Sequence, residues 1–201
     1  MKVTATHFDP LGLMAPVIIF FKLLLQEIHK LKGGWDKVIE GELYEQWKDI
    51  LEHVKCVPVI RIPRNYLAGG GELSDVTNVQ LHGFSDASGK AHGCVVYLRV
   101  TFRSGEVISR FVAAKSRVNP IKETSIPRLE LMACVLLSKL LKVIKESLVD
   151  YVIDEVYCWT DSMDCVWWIN TISKVWPRYV QNRVKKVRTN LPGIKFVYCP
   201  G

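Results

Sequence analysis

Near Val79 the hydrophobic period of the chain changes, and the element order that follows limits the possible folds more than any other feature. "VQLHGF", "GCVVYLRVTF" and "EVISRFVAAKSRV" read as three β-rich runs, the last two joined through "RSGE" by a hairpin-like turn at Ser104-Gly105. "TSIPRLELMACVLLSKLLKVIKESL" then switches to helical spacing. Leu129, Ala133, Leu136, Leu140, Ile144 and Leu148 trace one apolar face, with Thr124 or Ser125 as the expected cap and Pro127 in the first turn. "EVYCWTDS" reads as a fourth strand running into a short helix from about Met163 to Thr171. A further helix spans about Pro177 to Asn190, and "GIKFVYC" is a fifth strand. The order β-β-β-α-β-α-α-β joins an antiparallel meander to crossover units. It predicts an α/β fold: a mixed five-stranded sheet with flanking helices.

The part before this pattern is mainly helical. One helix is expected from about Pro16 to Lys30, broken by "GGW" at Gly33–Trp35. A second runs from about Gly41 to Val54, with Leu43, Trp47, Ile50, Leu51 and Val54 in one stripe. "CVPVIRIPRNYL" reads as an extended exit because Pro58 and Pro63 bar a helix, and "AGGGELSD" as a flexible connector. Two regions are therefore expected, 1–77 and 78–201. Their charges differ: residues 1–77 carry nine Lys/Arg against ten Asp/Glu, residues 78–201 eighteen against ten. Any polyanion the chain meets is expected to meet the second region.

Composition removes several classes. At 49% hydrophobic and 23% charged, the sequence is not that of a disordered chain. The apolar run "LGLMAPVIIFFKLLL" is broken by Pro16 and Lys22 and falls short of the ~20 residues of a membrane span. Six scattered cysteines without a C-x-x-C pair read as reduced, intracellular thiols, mostly buried, and not as a zinc site.

Three acids stand at element boundaries: Asp86 at the end of the first strand, Glu130 early in the long helix, Asp161 at the end of the fourth strand. Ligands of open α/β sheets gather beyond the carboxyl ends of strands. If strands one and four are neighbours, the three carboxylates share one edge. They then repel one another unless a cation compensates, and oxygen-only donors suit Mg²⁺, with Mn²⁺ as substitute. Two such ions would stabilise an in-line phosphoryl displacement. Each acid also has a local alternative. Asp86 would serve an Asx-turn in "SDASG", Glu130 the helix dipole, and Asp161 a cap for the helix at Met163.

"FDPLGLMAPVIIFFKLLLQEIHKLKGGWDKVIEGELYEQWKDIL", "GFSDASGKAHGCVVYLR", "AAKSRVNPIKETSIPRLELMAC", "WTDSMDCVWWI" and "RYVQNRV" together resemble the Pol polyprotein of Pao/BEL-type LTR retrotransposons. The resemblance spans nearly the whole chain, with "FDPLGL", "SIPRLEL" and "TDS" the most specific parts. It implies a segment downstream of a reverse transcriptase palm: a thumb- or connection-like region over 1–77 and a ribonuclease H domain over 78–201. Carried over by motif, "SDAS" gives Asp86, "RLEL" gives Glu130 and "TDS" gives Asp161 as catalytic and metal-binding acids. The family pattern continues past "PG" with a fourth acid that this sequence does not contain, so the domain is expected to lack its C-terminal end.

The implied activity is Mg²⁺-dependent cleavage of the RNA strand of RNA–DNA hybrids during reverse transcription. Implied partners are the hybrid and the rest of the polyprotein, in a cytoplasmic retrotransposon particle. The alternative is an inactive, connection-like segment that binds nucleic acid or serves structure. An integrase core would order its acids Asp, Asp, Glu, and a proofreading exonuclease would need Asp-x-Glu on its first strand; neither pattern is present. An aspartic peptidase would need Asp-Thr/Ser-Gly, also absent, and no Tyr-x-Asp-Asp-like polymerase motif occurs. Asp164 is an outside candidate ligand. From Lys174 to Lys195 there are seven basic residues and no acid. On the last helix Arg178, Lys185 and Arg188 share a side, either a solvated face or a phosphate-contacting ridge. Ser88 and Ser162, beside the acids, are the expected donors to RNA 2′-hydroxyls. Trp159, Trp167, Trp168 and Trp176 are expected mostly in the core.

Overall fold

A computed structural model describes residues 8–34, 37–57 and 61–201; Trp35 of "GGW" and Pro58 of the extended exit lie outside the described residues. Strands β1 (Val76–Ala87), β2 (Ala91–Phe102) and β3 (Val107–Val118) form the antiparallel meander. β4 (Glu155–Thr160) returns parallel to β1, and β5 (Phe196–Tyr198) lies parallel to β4, giving the sheet order β3-β2-β1-β4-β5. The fifth strand is shorter than its sequence run because only Phe196, Val197 and Tyr198 pair with β4. Its start is fixed by a side chain: Asn170 donates to the Phe196 carbonyl and accepts from the Phe196 amide.

The helices are α1 (Ala15–Lys30), α2 (Glu42–Cys56), α3 (Ile126–Ser147), α4 (Met163–Asn170) and α5 (Arg178–Asn190). The expected hydroxyl cap of α3 does not form. Ser125 takes the cap position through its backbone and makes no side-chain bond into the helix. A capping hydroxyl bonds the second or third helical N–H. Pro127 has none, and the Arg128 N–H goes to the Ser125 carbonyl.

α3 lies across the centre of the sheet. Its buried stripe of Cys134, Leu137 and Leu141 meets Leu81, Val96 and Leu98, all of them fully buried. The close approach depends on Gly83 in β1, where an added Cβ would come 2.6 Å from Leu137 Cδ1 and 3.1 Å from Leu141 Cδ1. On the opposite face run aromatic side chains. His82 stacks on Tyr157 at 4.9 Å and Phe84 on Trp159 at 6.2 Å, with Tyr97 edge-on to Phe84.

The helices of the first region reach the sheet. α1 and α2 share a small core of Phe21, Leu24 and Ile50. α1 and the turn before it also seal the β3 edge, which would otherwise present unpaired backbone groups. The Ala114 amide donates to the Leu11 carbonyl, Lys22 Nζ to the Ser116 carbonyl, and Gln26 Nε2 to the Asn119 carbonyl. Gly12, at φ 74°, allows this contact: a Cβ there would lie 1.8 Å from the Ala114 carbonyl oxygen. Among the described residues no helix is long and apolar enough to cross a membrane.

Candidate active site

Strand parity decides where each acid stands, because successive side chains alternate between faces. Leu81, Gly83 and Ser85 are buried toward α3, so His82, Phe84 and Asp86 belong to the aromatic face. On β4, Cys158 and Thr160 are buried, and Tyr157 and Trp159 continue toward Asp161 on that same aromatic side. β1 and β4 are parallel neighbours, with Ser85 opposite Thr160, so Asp86 and Asp161 leave the sheet at one edge. Glu130 reaches this edge from the other side. It falls on the stripe of α3 that carries Cys134, Leu137 and Leu141 down onto β1, and Ser85 Oγ lies 3.6 Å from Cys134 Sγ.

The local alternatives do not account for these acids. The turn after β1 is made by Ser88, which accepts from the amides of Lys90 and Ala91, both at 3.3 Å. Asp86 accepts only from its neighbour, the Ala87 amide at 2.6 Å, so it does not form an Asx-turn. Glu130 lies beyond the first turn of α3, where no acid is found. The cap of α4 is Ser162, which accepts from the Cys165 amide at 3.3 Å; Asp161 is not the cap.

The acids share a field. Burial raises the Glu130 carboxyl above the ordinary carboxylate range. A hydrogen bond from Ser162 opposes this, and repulsion from Asp161, Asp164 and Asp86 adds to it, in decreasing order. Asp164 is exposed and acts on Glu130 through that field. The donor set therefore has the chemistry a hard divalent cation takes, oxygen only and mutually repulsive. Its spacing is looser than a formed centre: among the described residues no three His, Cys, Asp or Glu side chains group closely enough to hold a metal ion as they stand. A cleft of about 640 Å³ opens beside Asp86 and Asp161, walled by Phe84, Tyr97, Phe111 and Trp159.

The remaining expected contacts are placed less uniformly. Ser88 is exposed, but its hydroxyl also donates to the Ala91 carbonyl at 3.2 Å and so is spent on the turn. Ser162 is buried beneath Glu130. Arg178 and Lys185 are exposed on α5. Arg188 does not share their surroundings. Its Nε donates to the Ile169 carbonyl at 3.2 Å, and its Nη2 to the carbonyls of Ile169 at 2.8 Å and Thr171 at 2.9 Å. Its guanidinium thus satisfies carbonyls at the C-terminal end of α4 and just past it. Of the tryptophans, Trp176 is buried while Trp167 is 50% exposed, with the Lys174 ammonium 4.2 Å from its ring centre. Four of the six cysteines are buried, and burial pushes the Cys94 and Cys158 thiols up to about 12.

A family model described as the Pao retrotransposon-like RNaseH-like domain matches residues 1–162. No curated protein matches the sequence significantly. Among solved structures, ribonuclease H1 from the halophilic archaeon Halobacterium salinarum NRC-1 is similar, at 14% identity and a TM-score of 0.38, covering 60% of this chain and 86% of that one. LC11 ribonuclease H1, solved with an RNA/DNA hybrid, is 19% identical with a TM-score of 0.39, covering 61% and 86%. A foamy viral protease-reverse transcriptase solved with double-stranded DNA is 15% identical with a TM-score of 0.47. It covers all of this chain, which spans 34% of the viral one.

Proposed function

This chain belongs to the Pao retrotransposon-like RNase H-like family, and from that premise we propose that it is a metal-dependent endonuclease acting on the RNA strand of RNA–DNA hybrids in reverse transcription. The observation that carries the proposal is the meeting of Asp86, Glu130 and Asp161 at one sheet edge, from three different elements, in a field that raises Glu130. Structural acids in a solvated turn or cap have no reason to be gathered so.

Asp86, Glu130 and Asp161 would hold the metal, Mg²⁺ by preference with Mn²⁺ as substitute, and when bound it would supply an activated water and charge stabilisation at the scissile phosphate. The chain's own residues do the rest. Ser162 caps α4 and faces the Glu130 carboxyl, so the helix and the acid meet at one residue. β1 and β4 hold the two aspartates at a fixed separation through their paired backbones. The aromatic wall of the cleft keeps one side of that edge apolar. The polyprotein and its particle are the setting the family membership suggests.

One observation favours a second reading, an inactive connection-like segment: the acids do not stand at mutual ligand spacing. A single assay separates the two. In Mg²⁺, the chain should cut the RNA of an end-labelled hybrid, and Asp86→Asn should slow cutting by on the order of 100- to 1,000-fold, as removal of one charge-stabilising group does. Intact RNA with the wild-type chain, or equal cutting by Asp86→Asn, sinks the nuclease reading.

A further inference from the structure

On the α3 side of the sheet, α3, α5 and the ends of β2 and β3 enclose a groove of about 570 Å³. Its walls carry Arg117 from β3, Lys139 from α3, and Arg183, Lys185 and Lys186 from α5, and no acid lines it. These five cations come from three elements separated by up to 69 positions in the chain, so only the fold assembles them. Among the described residues the ion pairs are Lys30–Glu27, Lys48–Glu45, Lys55–Glu52 and Lys142–Glu146, all elsewhere. The groove's charge is left without a carboxylate to offset it.

The groove is also built. Arg183 lies flat on Tyr179, its guanidinium carbon 3.3 Å from the ring centre, and Nη1 donates to the Tyr179 carbonyl at 3.1 Å. Arg128 stands 5.0 Å from the same ring. His92, buried in the floor, pairs through Nδ1 with Asn119 Oδ1 at 2.9 Å. Asn119 uses its Nδ2 to donate to the Ser88 carbonyl at 2.7 Å, so Oδ1 is the acceptor and His92 Nδ1 the donor. That leaves His92 Nε2 as the ring atom offered to the groove.

We infer that this groove binds the sugar–phosphate backbone of a nucleic acid, independently of the acid edge. Guanidinium and ammonium groups without a carboxylate partner in a concave site are the chemistry that takes phosphates. The geometry gives its reach. Along α3 the lining runs from Met132 to Lys139, roughly 10 Å at 1.5 Å per residue, about the rise of three nucleotides of one strand. Arg128 and Glu130 point to opposite sides of the same helix, being two residues apart. His92 pairs with Ala87 in the sheet, and Lys139 lies nine residues past Glu130 on the far side of α3, so the groove holds the backbone to one side of the reacting phosphate. The inference rests on the nuclease reading only for the identity of the nucleic acid, an RNA–DNA hybrid.

The test is hybrid binding by the full chain in EDTA, titrated with salt, where cleavage does not enter. Lys139→Gln with Lys186→Gln should weaken binding on the order of tenfold and lower the salt slope by roughly 0.9 per charge removed. Lys139→Arg with Lys186→Arg should bind like the wild type. Both lysines are exposed, and Arg117→Gln, on a different element, gives a second, independent neutralisation expected to lower the slope. No hybrid binding by the wild type, or an unchanged slope in the neutralised variants, overturns the groove. A groove that passes beside a wild type that leaves RNA intact in Mg²⁺ overturns the nuclease reading alone.

Discussion

Glu130 shows how one residue's meaning is set by what surrounds it. Its carboxyl is raised by burial first, so the folded chain holds that proton more tightly than the unfolded chain does. As pH rises from the ordinary glutamate value of 4.5 through the raised one, the folded state loses this advantage and stability falls. Glu130→Gln removes the penalty. In EDTA its melting temperature should exceed that of the wild type at pH 7, and the two should converge below pH 4.5; equal values at both pH extremes would refute the buried, crowded carboxyl. Arg188 is the converse case. Its sequence neighbours mark it as part of a basic ridge, whereas its three hydrogen bonds to the Ile169 and Thr171 carbonyls, at the end of α4 and just past it, mark it as a clamp. Composition counts charges without recording which carbonyls they satisfy. Ser162 was legible as a neighbour of the acid, but its burial under Glu130 depends on α3 and α4 meeting.

At the scale of elements, boundaries follow the sequence closely because each is enforced locally. The long helix begins beside Pro127, the β2–β3 hairpin turns at Gly105 with φ 86°, and α4 starts at a serine cap. What the elements do to one another is a matter of clearance. Gly83 places β1 against Leu137 and Leu141, both fully buried and with nowhere to move. Gly83→Ala should cost about 1–3 kcal/mol, the range for overpacking a filled core, read as a shift in the urea midpoint. A midpoint within error of the wild type would mean that α3 does not lean on β1 there. The same contact sets the height of Glu130 over the strand ends, so packing and site are coupled through one missing methyl group.

For the whole molecule, the helical first region is attached to the sheet along the β3 edge. Gly12 makes that attachment possible through a positive φ and a contact no side chain tolerates. Gly12→Ala should cost about 1–3 kcal/mol of strain and speed hydrogen exchange at the Ala114 amide, which donates to Leu11. Unchanged protection at Ala114 would show that this edge is not held by the turn. The charge asymmetry between the two regions was plain in the sequence, as were the element order, the mixed sheet and the three acids at element ends. These depend on period, turn chemistry and propensity, which act between residues close in the chain. Only the tertiary structure decided that Asp86 and Asp161 share a face, that Ser88 and Arg188 are spent on the backbone, and that Arg117, Lys139 and Lys186 line one groove. Such outcomes turn on distances between residues far apart in sequence, and packing of the helices on the sheet is what sets those distances.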